Sequence, residues 1–129
     1  MYISLGYQFC KIGLSAMGSI LLCTHLIGDC QVFVFIVHLW TLMSNALCVK
    51  YDYTPHVCLL AAENIITLAS FVCIAGNTED ATGLSNYETA AVTTGILWGV
   101  HLSHITYVAM EFPRPDPYAS FVPLADDDF

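Results

Sequence analysis

Four long apolar stretches fill most of this chain, and they constrain its fold more than any other feature. The first runs from about Ile12 to Ile27, lengthened on its N-terminal side by Ile3 to Cys10, and the second from about Gln31 to Val49. The third runs from about His56 to Gly76 and the fourth from about Glu88 to Met110. They are punctuated by Gly28–Asp29, by Lys50–Asp52 with Pro55, by the stretch Asn77–Asn86, and finally by Pro113. A helix needs about 20 mostly apolar residues to cross a hydrocarbon core of roughly 30 Å. The expected fold is therefore all-α: a membrane-spanning four-helix bundle with short loops over residues 1–111. A Pro-rich, acidic, extended C-terminal tail over residues 112–129 follows it.

Composition supports lipid as the solvent. Apolar residues make up 57% of the 129 and charged residues 11%, against roughly 25% charged in a soluble domain. The only cations are Lys11, Lys50 and Arg114, too few to coat a soluble core of this size. The net charge of −8 comes from acids between the apolar runs or in the tail, where Asp126, Asp127 and Asp128 form the only cluster. No basic patch exists to neutralise phosphates, so nucleic acid is not an expected partner. The first run carries the single cation Lys11 and leads straight into three more runs, so it reads as a span rather than a cleavable leader.

Four spans put both termini on one side. Lys11 precedes the core of the first span, Lys50 lies between the second and third, and Arg114 follows the fourth, so all three cations fall on the same face. An excess of Lys and Arg marks the cytoplasmic side or its organellar equivalent. The expectation is an integral, multi-pass membrane protein with both termini on the cytoplasmic or matrix side. The opposite face then holds Gly28–Cys30 and the stretch from Asn77 to Tyr87, which contains Glu79 and Asp80 and no cation.

Inside a bilayer, close helix packing rests on small residues and interhelical hydrogen bonds. The fourth run carries Ala91, Gly95, Gly99 and Ser103, each four residues after the last, and the first has a looser counterpart in Ser15, Ser19 and Cys23. Packing within the bundle is the plain reading of that stripe, with self-association or a partner-subunit seam as the alternative. Trp40 and Trp98 lie well inside their runs, whereas Tyr51 and Tyr53 fit the role of interfacial anchors.

Glu63 is the most informative single residue. It sits about seven residues into the third run, roughly 10 Å from the nearer end. A lone carboxylate at that depth costs about 2.5–3.5 kcal/mol on insertion scales, so it needs a proton, a partner or a polar cavity. On the antiparallel fourth run, His104 and His101 fall at a similar depth, and Asn64 adjoins Glu63. The expected intramembrane polar cluster is thus Glu63, Asn64, His101 and His104. It reads either as a structural clamp between the third and fourth helices or as a proton-relay or ligand site. His38 and His101 are also close in depth, and two facing imidazoles can hold a haem iron axially. No other cofactor and no metal site is expected, since the Glu and Glu-x-x-His set of di-metal bundles is missing. No nucleophile motif or phosphate loop points to catalysis, so the chain is not expected to be an enzyme. The six cysteines show no zinc spacing. Cys30 and Cys73 lie toward the face opposite the cations, where a disulfide can form if that side is oxidising, and Cys10, Cys48 and Cys58 lie toward the cation face, where palmitoylation is chemically feasible.

The four-helix layout resembles the MARVEL-type membrane proteins, especially the compact fungal kind. The residues that carry the resemblance are Phe33-Val-Phe-Ile-Val-His-Leu-Trp-Thr-Leu-Met in the second helix, Pro55–His56 and the acidic-Asn pair Glu63–Asn64 in the third, and Glu88-Thr-Ala-Ala-Val-Thr-Thr-Gly-Ile-Leu-Trp98 opening the fourth. The resemblance implies a non-enzymatic membrane organiser or scaffold with cytoplasmic termini. Two alternatives stay open: a small accessory subunit of a larger respiratory or photosynthetic membrane complex, and a haem- or proton-handling membrane protein. In each, the partners are the bilayer and other membrane-protein subunits or further copies of the chain.

Overall fold

The computed structural model describes residues 2–23, 28–77 and 85–111, and they form four helices. These are α1 (Tyr2–Leu22), α2 (Asp29–Lys50), α3 (Val57–Gly76) and α4 (Ser85–Glu111), with no strand among the described residues. Each helix packs against its neighbours in sequence, and α1 also packs against α4, so the four close into a ring. Cross-links run between opposite ends of neighbouring helices: Cys30 with Cys73, Ser44 with Glu63, and Ser4 with His104. Neighbours are therefore antiparallel, in the up-down-up-down arrangement that short connections favour. The Pro-rich tail with Arg114, His25, and most of the Asn77–Asn86 stretch lie outside the described residues.

The helix boundaries follow from local chemistry. Gly28, in an extended conformation, precedes α2, and Asp29 in the first turn suits the positive end of the helix dipole. At the other end, Tyr53 N–H bonds to Cys48 O at 2.9 Å and Asp52 N–H to Val49 O at 3.4 Å. Asp52 has a φ of 51°, so this is a Schellman ending with aspartate in the left-handed position usually given to glycine. Pro55 then prevents the chain from resuming a helix at once. The His56 side chain caps α3 by accepting from Cys58 N–H at 3.2 Å.

Three helices, α1 over Ile3–Leu22, α2 and α3, are long and apolar enough to cross a membrane. At 27 residues α4 is the longest, about 40 Å at the helical rise. It is more polar because Thr93, Thr94, His101 and His104 all lie on its buried side, while Val92, Ile96, Leu102 and Met110 point outward.

The distribution of side chains is inverted relative to a water-soluble bundle. Among the described residues, 14 buried side chains are polar or charged and 11 are hydrophobic, while 22 large hydrophobic side chains are exposed. Trp40, in the middle of α2, is 55% exposed. Water would drive such surfaces together; a hydrocarbon solvent reverses the preference and leaves polar groups to find partners inside. The interior is also graded along its length. Leu22, Val34, Ile74, Tyr87, Ala90 and Ala91 form an apolar knot at the end where α2 begins and α3 stops. The Cys30–Cys73 disulfide, with Cα atoms 6.1 Å apart, ties α2 to α3 at that same end. Polar side chains take over toward the opposite end.

Candidate functional site

The polar end gathers one or more side chains from every helix around Glu63. Its Oε1 accepts from Ser44 Oγ of α2 at 3.1 Å, and its Oε2 lies 3.4 Å from Lys11 Nζ of α1. His101 Nδ1 of α4 stands 3.5 Å from the same Oε2 without forming a hydrogen bond. Lys11 Nζ also donates to His104 Nδ1 at 2.8 Å. With Nδ1 accepting, His104 carries its proton on Nε2 and donates it to Ser4 Oγ at 3.0 Å. Tyr7 stacks on the His104 ring, with centroids 4.9 Å apart and planes inclined by 13°.

Burial makes these contacts consequential. Lys11, His101 and His104 are 0% exposed and Glu63 is 5% exposed. Two opposite charges out of water need each other, and each needs further hydrogen bonds to offset lost solvation. Ser44 supplies one to the carboxylate and His104 one to the ammonium. Ser15 Oγ and Ser19 Oγ back-bond to the carbonyls of Lys11 and Ser15, which keeps their hydroxyls satisfied on the buried face of α1.

Glu63, His101 and His104, all expected in an intramembrane cluster, are brought together, but the partner that ties Glu63 to His104 is Lys11. Lys11 was expected ahead of the first span, as a surface cation marking topology. Because α1 begins at Tyr2, Lys11 instead lies about 13 Å along the helix and points into the bundle. The sequence held a signal for it: Ser4, Gln8, Lys11, Ser15 and Ser19 recur every three or four residues, one polar stripe on an otherwise apolar helix. Asn64 stands apart from the cluster; it is half-buried, and its Nδ2 is buried without a hydrogen-bond partner.

The stripe on α4 changes environment along its length. Ala91 is buried in the apolar knot, and a Cβ added to Gly95 would lie 2.8 Å from the Phe71 ring of α3. Gly99 has open space where a Cβ would stand, and Ser103 is exposed. The reason is geometric: four-residue steps advance about 400°, so three steps rotate the row by about 120° away from its starting face.

His38 occupies the next level of the interior. Thr94 Oγ1 donates to Ala90 O at 2.8 Å, so His38 Nε2–H must be the donor in its 2.9 Å contact with Thr94 Oγ1. Its ring rests on the backbone of Gly18, where a Cβ would fall 2.6 Å from Nε2. His38 Nε2 is thus engaged between helices, while its Nδ1 and both nitrogens of His101 make no hydrogen bond to protein. Among the described residues no three His, Cys, Asp or Glu side chains come together as a metal-ion site.

No family model, curated protein or solved structure matches the chain.

Proposed function

We propose that this is a non-enzymatic, multi-pass membrane protein that acts as an organiser or scaffold of the MARVEL kind. The observation that carries this reading is the inverted surface: apolar side chains face outward on all four helices while the polar ones bond to one another inside. The described helices offer their surroundings a lateral apolar surface, and lateral contact with lipids or other membrane helices is what an organiser uses.

The orientation proposed has both termini on the cytoplasmic or matrix side. Two features at opposite ends support it. Lys50 closes α2 at one end, with Tyr51 and Tyr53 exposed beside it, while the disulfide lies at the other. Cations favour the cytoplasmic side and disulfides an oxidising compartment.

A second reading, an accessory subunit of a larger membrane complex, is favoured by a different observation. Gly6, Gly13 and Gly99 face outward with nothing within 4 Å of a would-be Cβ, and such positions let a foreign helix approach closely. Purification from native membranes in mild detergent separates the two. Recovery as a free or self-associated protein supports the organiser; stoichiometric recovery with large membrane subunits supports the accessory role and overturns it.

A further inference from the structure

We propose that the bundle interior is a one-sided path for protons, open at the end marked by Ser4 and closed by the apolar knot. This rests on the membrane reading above but on neither choice of partner. Four contacts form its outer half: Ser4 to His104 at 3.0 Å, His104 to Lys11 at 2.8 Å, Lys11 to Glu63 at 3.4 Å, and Glu63 to His101 at 3.5 Å. They lead from the first turn of α1, where Ser4 is half-buried, to the fully buried His101.

Beyond His101 the atoms change character in a telling way. Both nitrogens of His101, the hydroxyl of Thr67 and Nδ1 of His38 are buried and make no hydrogen bond to protein. All three side chains are 0% exposed, and they come from three different helices. Buried polar atoms in native proteins are nearly always paired, with protein or with internal water. Water is the partner these atoms fit, since between them they offer donors and acceptors at successive levels. A water-bridged row would carry the path from Glu63 to His38, which bonds to Thr94 at 2.9 Å. There the polar lining ends, and Leu22, Val34 and Ile74, each 0% exposed, seal the interior.

The elementary step balances without any co-reactant. Lys11 gives a proton from Nζ to Nδ1 of His104 as His104 gives up its Nε2 proton to Ser4 Oγ. The serine hydroxyl releases its original proton at the open end. Lys11 is left as an amine beside Glu63 and regains its proton from the open end, by the same transfers through Ser4 and His104 run in reverse. Of the six residues in the knot only Tyr87 carries an exchangeable side-chain proton, and Leu22, Val34 and Ile74, which carry none, close the interior past His38, so protons enter and leave by the same end.

Two measurements test this. In the unmutated protein in liposomes, solid-state NMR of 15N-labelled histidine reads magnetisation transfer from mobile water to the imidazoles. Transfer to both His101 and His38 is expected, and its absence at both overturns the proposal without any variant having to fold. The second measures proton flux under an imposed potential in proteoliposomes. The native protein is expected to give none, whereas Val34→Ser and Ile74→Ser, kept if still helical and monodisperse, should conduct. Adding Glu63→Gln should abolish that flux. Sustained flux through the native protein, silence in both folded knot variants, or flux unchanged by Glu63→Gln contradicts the one-sided path. The lipid-facing exterior is read by separate labels and is untouched by these outcomes.

Discussion

Lys11 and Glu63 stabilise the bundle as a pair and endanger it singly. Truncating one partner leaves the other charge buried and uncompensated, which costs about 3–5 kcal/mol. Lys11→Met is therefore expected to lower thermal stability in detergent sharply, and Glu63→Leu similarly. The double variant, with two apolar side chains of comparable volume, should recover most of the loss, because replacing a whole buried pair is often close to neutral. Additive losses in the double variant would show that the two side chains act independently. A quieter test concerns the glycines. Gly95→Ile drives a branched side chain into Phe71 and should destabilise by about 1–3 kcal/mol. Gly99→Ile meets open space and should leave the isolated bundle's melting temperature nearly unchanged. At this scale the sequence was partly legible. Depth along the helices identified Glu63, His101 and His104 as neighbours, because antiparallel helices share levels. It missed Lys11, since a cation preceding an apolar run was read by its sequence position rather than by the polar stripe it shares with Gln8 and Ser15.

At the scale of elements, the punctuation of the chain fixes where helices stop. Gly28 and Pro55 were visible as breaks, and α2, α3 and α4 lie within three residues of their expected bounds. What could not be read was the Schellman turn after α2, because its left-handed position holds Asp52 where glycine is the usual signal. A β-branched residue tolerates a φ of 51° poorly, so Asp52→Val should destabilise by about 1–2 kcal/mol. Thermal unfolding would show it, and an unchanged melting temperature would mean that the turn relaxes to another form. The disulfide closes a separation of 43 residues. Chain-entropy reasoning gives such a loop about 4 kcal/mol of stabilisation. Cys30→Ser should thus unfold at a clearly lower temperature than the oxidised native protein, and equally low with or without reductant.

For the whole molecule, the same residues that make α4 polar also make the bundle cohere. Thr94 holds His38, His104 holds Lys11, and the helix turns Val92, Ile96, Leu102 and Met110 outward. The all-α class was legible from apolar run length alone. The inward rotation of α4 was not, because its polar residues are spread along 27 positions and only the packed bundle shows which of them face one side. The central claim is that the outer faces of α2, α3 and α4 contact hydrocarbon while the polar interior does not. Spin labels placed singly at Ile36, Ile65 and Ile96, with Ser70 as an interior control, test it in liposomes. Collision rates with oxygen, which concentrates in lipid, and with a water-soluble nickel chelate report the surroundings of each site. High oxygen and low chelate accessibility at the three outer positions, Ile96 on α4 included, with low accessibility to both at Ser70, is the predicted result. Chelate accessibility at Ile96 equal to that of a label in free solution would place α4 in water and contradict the account.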